Sequence, residues 1–222
     1  MLNKLKPTIA VVDSGIGGVS VLRQLKQKYG AGNFIYFADN LYMPYGNKSK
    51  YFVKSRVEEI IEYLNKFFNP DIIFVACNTA SSVLKKLPKN VKTIKFNNNS
   101  PILATKLTAQ QLVGFNMIAA NKLAQKIEQN IFDLPVLEQY IKRFVAKLKL
   151  DQYDCITLGC THYELVKAIF EKYCPNTQFL LNSLPMIESI KFKPKQSQTT
   201  IKVLLSKNDE NYKNKILHLI NI

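Results

Sequence analysis

Two cysteines stand in matching settings. Ile73-Phe74-Val75-Ala76-Cys77-Asn78-Thr79 and Ile156-Thr157-Leu158-Gly159-Cys160-Thr161-His162 each run from an apolar stretch into Cys and then into polar residues that can open a helix. A thiol so placed sits at the carboxyl end of a strand, where open α/β sheets bind ligands. It also sits at a helix N-terminus, which favours the thiolate. Asn78, Thr79 and Thr161 add side-chain donors beside the sulfurs. A matched pair of thiols suits the inversion of a stereocentre: one group takes the proton from one face of a carbon, the other returns a proton to the opposite face, and the reverse reaction exchanges their roles. That is general acid–base work rather than covalent attack.

Other readings compete with this one. Either cysteine alone is as easily a buried core residue, since free Cys is commonly buried. Cys155, Cys160 and His162 suggest zinc, but Cys155 and Cys160 fall at the two ends of one strand, and no second Cys pair completes four ligands. A cysteine nucleophile paired with His162 would need only one thiol and would leave the second without a purpose. His218, the only other histidine, falls in the last helix, where a solvated or core role is expected.

Asp13-Ser14-Gly15-Ile16-Gly17-Gly18 forms a further cluster between the first strand and the first helix. Glycines there let the backbone turn sharply and approach a ligand. Gly15 and Gly17 fit a dinucleotide fingerprint, and Asp39 falls about where a ribose-binding acid would sit, but the third glycine position is Ser20. Asp13 would also set a negative charge beside a pyrophosphate. No nucleotide cofactor is expected.

The elements that position these groups alternate. Strands are expected at 8–12, 34–37, 72–76, 91–96, 102–105, 155–159, 179–181 and 201–205. Helices are expected at 19–28, 49–68, from Cys77 to Leu87, 119–130, 135–148, 161–173 and 212–220. Short β-branched runs bounded by breakers, alternating with helical periodicity, give parallel sheets covered by helices. Asn97-Asn98-Asn99-Ser100-Pro101 is the expected boundary, and the polar stretch 191–200 an exposed linker. The fold class is therefore α/β, with two pseudo-symmetric parallel-sheet halves and the active site in the cleft between them. Residues 1–97, completed by 200–222, make the first half, and 98–199 the second.

Composition narrows the class further. The chain has 222 residues and a formal net charge of +15. Of its 31 basic residues only Arg23, Arg56 and Arg143 are arginine, leaving 28 lysines (31 minus 3) scattered along the chain. A nucleic-acid footprint should be clustered, so no nucleic-acid partner is expected, although the basic field would attract an anionic substrate. No apolar run reaches the roughly 18 residues needed to cross a membrane, and the first seven residues hold no apolar core of a signal peptide. A cytoplasmic protein with reduced thiols and no membrane association is expected.

Taken in order, Val12-Asp13-Ser14-Gly15-Ile16-Gly17-Gly18, Ala38-Asp39-Asn40, Pro44-Tyr45-Gly46, Ala76-Cys77-Asn78-Thr79-Ala80 and Leu158-Gly159-Cys160-Thr161-His162-Tyr163 resemble the glutamate racemases of the aspartate/glutamate racemase superfamily. The resemblance covers most of the chain, which would be a short member. It implies cofactor-independent interconversion of L- and D-glutamate, the D-isomer feeding peptidoglycan synthesis, with no metal or pyridoxal phosphate. It implies Cys77 and Cys160 as the acid/base thiols, Asp13 assisting near Cys77, His162 assisting near Cys160, and Glu128, at the end of the segment Asn121–Glu128, as a further catalytic-assisting carboxylate. Ser14, Asn78, Thr79, Thr105, Thr108 and Thr161 would hold the substrate, with Pro44, Tyr45 and Gly46 as a wall. Asn97–Pro101 replaces a longer family segment, Gln111 and its neighbours replace the family's Ser and Tyr, Asn182-Ser183 replaces Asp-Ser, and Ser206-Lys207-Asn208-Asp209 replaces a Ser-Gly-Asp-like turn. A racemase of aspartate or another small acid, and a non-catalytic member that binds a partner, stay open, as does a homodimer.

Overall fold

The computed structural model describes residues 7–30, 32–189 and 199–222. The expected linker over 191–200 therefore lies largely outside the described residues.

Among the described residues nine strands form two sheets. The first contains β1 (Thr8–Asp13), β2 (Asn33–Ala38), β3 (Ile72–Val75), β4 (Val91–Thr93) and β9 (Thr200–Leu205), in the order β4-β3-β1-β2-β9. The second contains β5 (Ile102–Ala104), β6 (Met117–Ala119), β7 (Cys155–Gly159) and β8 (Gln178–Leu181), in the order β6-β5-β7-β8. Every pairing is parallel. The molecule is thus an α/β protein of two parallel-sheet halves.

Strand periodicity explains the layering. Successive side chains point to opposite faces, and the central strands of the first sheet are apolar on both. Ile9, Val11, Phe34, Tyr36 and Phe74 enter one core, while Ala10, Val12, Ile35, Phe37, Ile73 and Val75 enter another. The second of these packs against Val53, Val57, Ile60, Ile61 and Leu64 of α2 (Lys50–Phe68). Ser49 caps that helix by accepting from Phe52 N at 3.2 Å. The first core runs on into the other half through Leu103, Ile156, Leu158 and Tyr163. One continuous apolar body therefore fixes the two sheets against each other, by way of α1 (Val19–Tyr29) and α10 (Glu210–Asn221).

Several expected helices are shorter or divided. The helix after Cys77 is α3 (Asn78–Val83) and stops before Leu87, because Leu84 is extended and Ser81 Oγ turns back to Val75 O at 3.1 Å. Residues 119–130 are not one helix: β6 ends at Ala119, and Lys122, with φ 62°, starts α5 (Leu123–Asn130). The helix expected over 161–173 breaks at Val166 into α7 (Thr161–Leu165) and α8 (Lys167–Tyr173). The expected strand 91–96 pairs only through Thr93. The sequence reading missed α4 (Lys106–Gln111), β6 and α9 (Leu184–Glu188), all too short to carry a periodic signal. The other long helix is α6 (Leu134–Leu148). Among the described residues no helix is long and apolar enough to cross a membrane.

Candidate active site

Parallel strands end on the same side of a sheet, so their carboxyl ends collect side chains. In the first sheet these are Asp13 at the end of β1 and Cys77 just past β3; in the second they are Thr105 just past β5 and Cys160 just past β7. The two edges face each other across a narrow cleft of about 250 Å³ of empty space, mouth included. It is lined by Ser14, Pro44, Tyr45, Gly46, Cys77, Asn78, Thr79, Thr105, Ala124, Cys160, Thr161 and His162. Both thiols are buried and free of disulfides.

Around Cys160 a relay leads inward. Cys160 Sγ lies 3.8 Å from His162 Nδ1, and His162 Nε2 lies 2.6 Å from Glu128 Oε2. Glu128 also accepts from Ile16 N at 3.1 Å and from Tyr212 OH at 2.6 Å. Burial opposes a charge on Glu128, but the bonds from His162, Tyr212 and Ile16 N prevail and hold its carboxyl below the usual range. Burial likewise opposes a charge on His162, yet its bonds to Cys160 and Glu128 lift the imidazole well above its usual pKa. The pair is therefore an imidazolium on a carboxylate. The cation faces the sulfur and can offset negative charge that forms there.

Cys77 has a different setting. Its Sγ–H points to Ser14 Oγ at 4.0 Å. Burial, and then the nearby Asp13 carboxylate, push its thiol well above the ordinary range, against smaller opposing contributions from Ala80 N and Ser14. The expectation that a helix N-terminus favours the thiolate thus fails at Cys77, because desolvation outweighs one turn of helix dipole. The two thiols are alike in chemistry and unlike in proton affinity of surroundings: one is backed by a cation, the other by an acid.

Asp13 sits behind the cleft, fully buried. Its Oδ1 accepts from Gly15 N at 3.0 Å and its Oδ2 from Thr161 Oγ1 at 3.0 Å, which ties the halves together. Burial raises its pKa, against the pull of His162 and these two bonds. Thr79, Thr105 and Thr108 close a hydroxyl triangle with sides of 3.0, 3.2 and 2.9 Å. Thr79 and Thr105 reach the cleft; Thr108 stands one layer behind and braces them. Glu128 and Asp13 are also not in the cleft lining.

The glycine loop has a steric purpose that the sequence reading did not anticipate. A Cβ on Gly15 would stand 2.5 Å from Glu128 Oε2, and one on Gly17 would collide with Thr161 and His162. These glycines admit Glu128, Thr161 and His162 of the other half. Asp39 is likewise structural: it accepts from Arg56 Nε and Nη2, each at 3.0 Å, and from Tyr45 OH, which fixes the wall residue Tyr45. Cys155 lies at the far end of β7 from Cys160, and no group of three or more His, Cys, Asp or Glu among the described residues is placed to hold a metal ion. His218 is exposed and packs edge-on to Phe132.

Four contributors escaped the sequence reading. Tyr212 comes from α10 to hold Glu128, and Tyr36 OH donates to Gly15 O at 2.6 Å. Asn182 Nδ2 donates to Asn78 Oδ1 at 2.8 Å. Glu164, just past His162, is buried and accepts from Ser20 Oγ at 2.9 Å, Ser183 Oγ at 3.0 Å, Ser183 N at 3.3 Å and Gln24 Nε2 at 3.4 Å. Burial raises its pKa to about 7 despite those four donors. Only Asn182 carried a signal, as a departure from the family pattern at 182–183; the rest depend on long-range packing.

Two parallel-sheet halves that each bring a thiol to a shared cleft are the arrangement of an amino-acid racemase, an enzyme of the isomerase class. The chain matches no family model. It is 31% identical over 210 residues to the glutamate racemase of Buchnera aphidicola subsp. Acyrthosiphon pisum, with 82% of this chain and 79% of the relative covered. The chain belongs to the glutamate racemase family. Its fold is that of a glutamate racemase isoform from Bacillus anthracis, with a TM-score of 0.82, 19% identity and coverage of 99% and 96% of the two chains. It is also that of Escherichia coli glutamate racemase solved with L-glutamate and an activator, with a TM-score of 0.78, 22% identity and coverage of 97% and 94%.

Proposed function

We propose that Cys77 and Cys160 exchange the Cα proton of glutamate from opposite faces, interconverting the L- and D-isomers. The observation that carries this reading is that both thiols line one narrow cleft, each contributed by a different half. A thiolate at Cys160 takes the proton while the imidazolium of His162, anchored by Glu128, offsets the charge. The neutral thiol at Cys77 returns a proton from the other face, its acidity set by burial and by Asp13. In the reverse direction the roles exchange. Ser14, Asn78, Thr79, Thr105 and Thr161 hold the substrate's polar ends, with Thr108 bracing the threonines. Pro44, Tyr45 and Gly46 form the wall. The reaction uses no metal, nucleotide or pyridoxal phosphate, and its product supplies D-glutamate for peptidoglycan. A reducing, cytoplasmic setting suits two thiols that must stay free. The halves divide as 1–97 with 200–222, and 98–199.

Incubating the protein with L-glutamate in D₂O, without cofactor, tests this. Loss of optical rotation together with loss of the Cα proton is expected. Unchanged rotation and an intact Cα proton would refute glutamate racemisation, and turnover of L-aspartate instead would reassign the substrate. Cys77→Ser and Cys160→Ser should each slow racemisation by roughly a hundredfold or more; a single variant at the wild-type rate would refute the two-thiol assignment.

A further inference from the structure

We infer that a second cavity beside the cleft is a receiving station for the substrate, where Lys106 and Lys122 hold a carboxylate before the molecule passes inward. The inference rests on the reading of the cleft as a glutamate site. The second cavity has about 280 Å³ of empty space, mouth included, and adjoins the cleft. The two spaces share Pro44, Gly46, Thr105 and Ala124 as lining. Gly46 and Thr105 form the partition between them. Gly46 follows β2 of the first sheet and Thr105 follows β5 of the second. They stand so close that a Cβ on Gly46 would lie 2.8 Å from Thr105 Cβ. The outer cavity is thus separated from the thiols by one contact between the two sheets' loops.

The outer cavity differs from the cleft in charge. Beyond the shared residues it is lined by Asn47, Lys106, Ala120, Asn121, Lys122 and Gln125. Two of these are cations and none is an acid. Both lysines are exposed, and neither has a salt-bridge partner among the described residues. Lys54, Lys167, Lys172 and Lys213, by contrast, are each matched by a glutamate. Two uncompensated cations on one hollow repel each other, and an anion between them relieves that repulsion. Glutamate carries two carboxylates and one ammonium at neutral pH. The lysines attract the carboxylates and repel the ammonium. A lysine amine rides on a flexible stem, so it can follow the acid toward Thr105, which borders both spaces. A neutral solute gains nothing from the pair. The station therefore favours acids before any contact with Cys77 or Cys160. Because the lysines are exposed, their pull must fade with salt, which separates it from contacts made inside the cleft.

Purified wild type, Lys106→Gln/Lys122→Gln and Lys106→Arg/Lys122→Arg separate charge from shape. At an ionic strength of about 10 mM the glutamine pair should lower kcat/KM for glutamate roughly three- to tenfold, the lower end of what a focused field supplies. The value of kcat should stay within about twofold, because the lysines act before the proton moves. The arginine pair keeps both charges and should match wild type. At about 0.5 M salt the difference between wild type and the glutamine pair should shrink below about twofold. Glutarate has both carboxylates but neither ammonium nor stereocentre, so its binding reports the station without the chemistry. Its Kd by calorimetry should rise in the glutamine pair by a similar factor, and only at low salt. A glutamine pair with wild-type kcat/KM and glutarate affinity at low salt would overturn the inference. So would an equal loss at both salt levels, or an arginine pair as weak as the glutamine pair. Wild type that does not racemise glutamate would refute the function itself, while the glutarate measurement would still decide whether the lysines bind a carboxylate.

Discussion

Glu164→Gln should remove a pH-dependent loss of stability. Glu164 is a buried carboxyl whose pKa stands near 7, against 4.5 for an ordinary glutamate. The folded state therefore prefers the protonated acid more than the unfolded chain does. Stability from this group is fully present below pH 4.5 and is lost as pH rises through 7. A displacement of about 2.5 pH units corresponds to about 3 kcal/mol of lost stability once both states are ionised, of which roughly 2 kcal/mol disappears between pH 5.5 and 8.5. Glutamine keeps the shape and has no charge to bury. Its amide meets hydroxyls of Ser20 and Ser183 that can reorient, and Gln24 Oε1, a buried acceptor with no partner among the described residues, can turn to accept from it. Urea unfolding followed by circular dichroism at pH 5.5 and 8.5 measures the difference. The wild type should lose about 2 kcal/mol more than the variant across that interval. Equal losses in the two proteins would refute the reasoning, since the carboxyl would then not titrate differently on folding.

Three further outcomes follow from the site. Gly15→Ala places a Cβ 2.5 Å from Glu128 Oε2; turnover should fall at least tenfold and unfolding free energy by about 1–3 kcal/mol, as overpacking does, and full activity would show that Glu128 need not stay where it is. Glu128→Gln removes the carboxylate that holds His162 protonated, so the alkaline limb of the pH–rate profile should move to lower pH by about one unit or more; an unmoved limb would separate His162 from catalysis. Arg56→Met leaves Asp39, which is fully buried, without its cation, and should cost about 3–5 kcal/mol in a urea titration; a variant of unchanged stability would restore a ligand-binding role for Asp39.

The fold was legible where hydrophobic patterns are long. Thr8–Asp13, Lys50–Phe68 and Leu134–Leu148 carry enough apolar periodicity to declare themselves. Helices of five or six residues, such as Leu184–Glu188, have no such pattern and are held by tertiary contacts. Lys122 broke an otherwise helical stretch through a backbone conformation that nothing in its side chain announces. At the site the strand-end rule located Cys77, Cys160 and Asp13, because parallel strands must end on one side. Glu128 came from resemblance alone: it lies 34 residues from His162, and only packing brings them together. The glycine loop misled in part, since the same absence of Cβ serves a phosphate or, as here, a neighbouring domain's side chains.

The position of β9 ties completion of the cleft's surroundings to biosynthesis. This strand pairs with β2 across 167 residues of chain, as Asn33 does with Thr200, and the helix after it delivers Tyr212 to Glu128. During translation β2 remains an open edge while the whole second half is made, a surface prone to wrong pairing. Such distant pairing is also slow to form. The carboxylate bonded to His162 therefore gains its last partner only after the closing strand has docked. A nascent chain with both thiols already synthesised still lacks the finished Tyr212–Glu128–His162 arrangement behind Cys160.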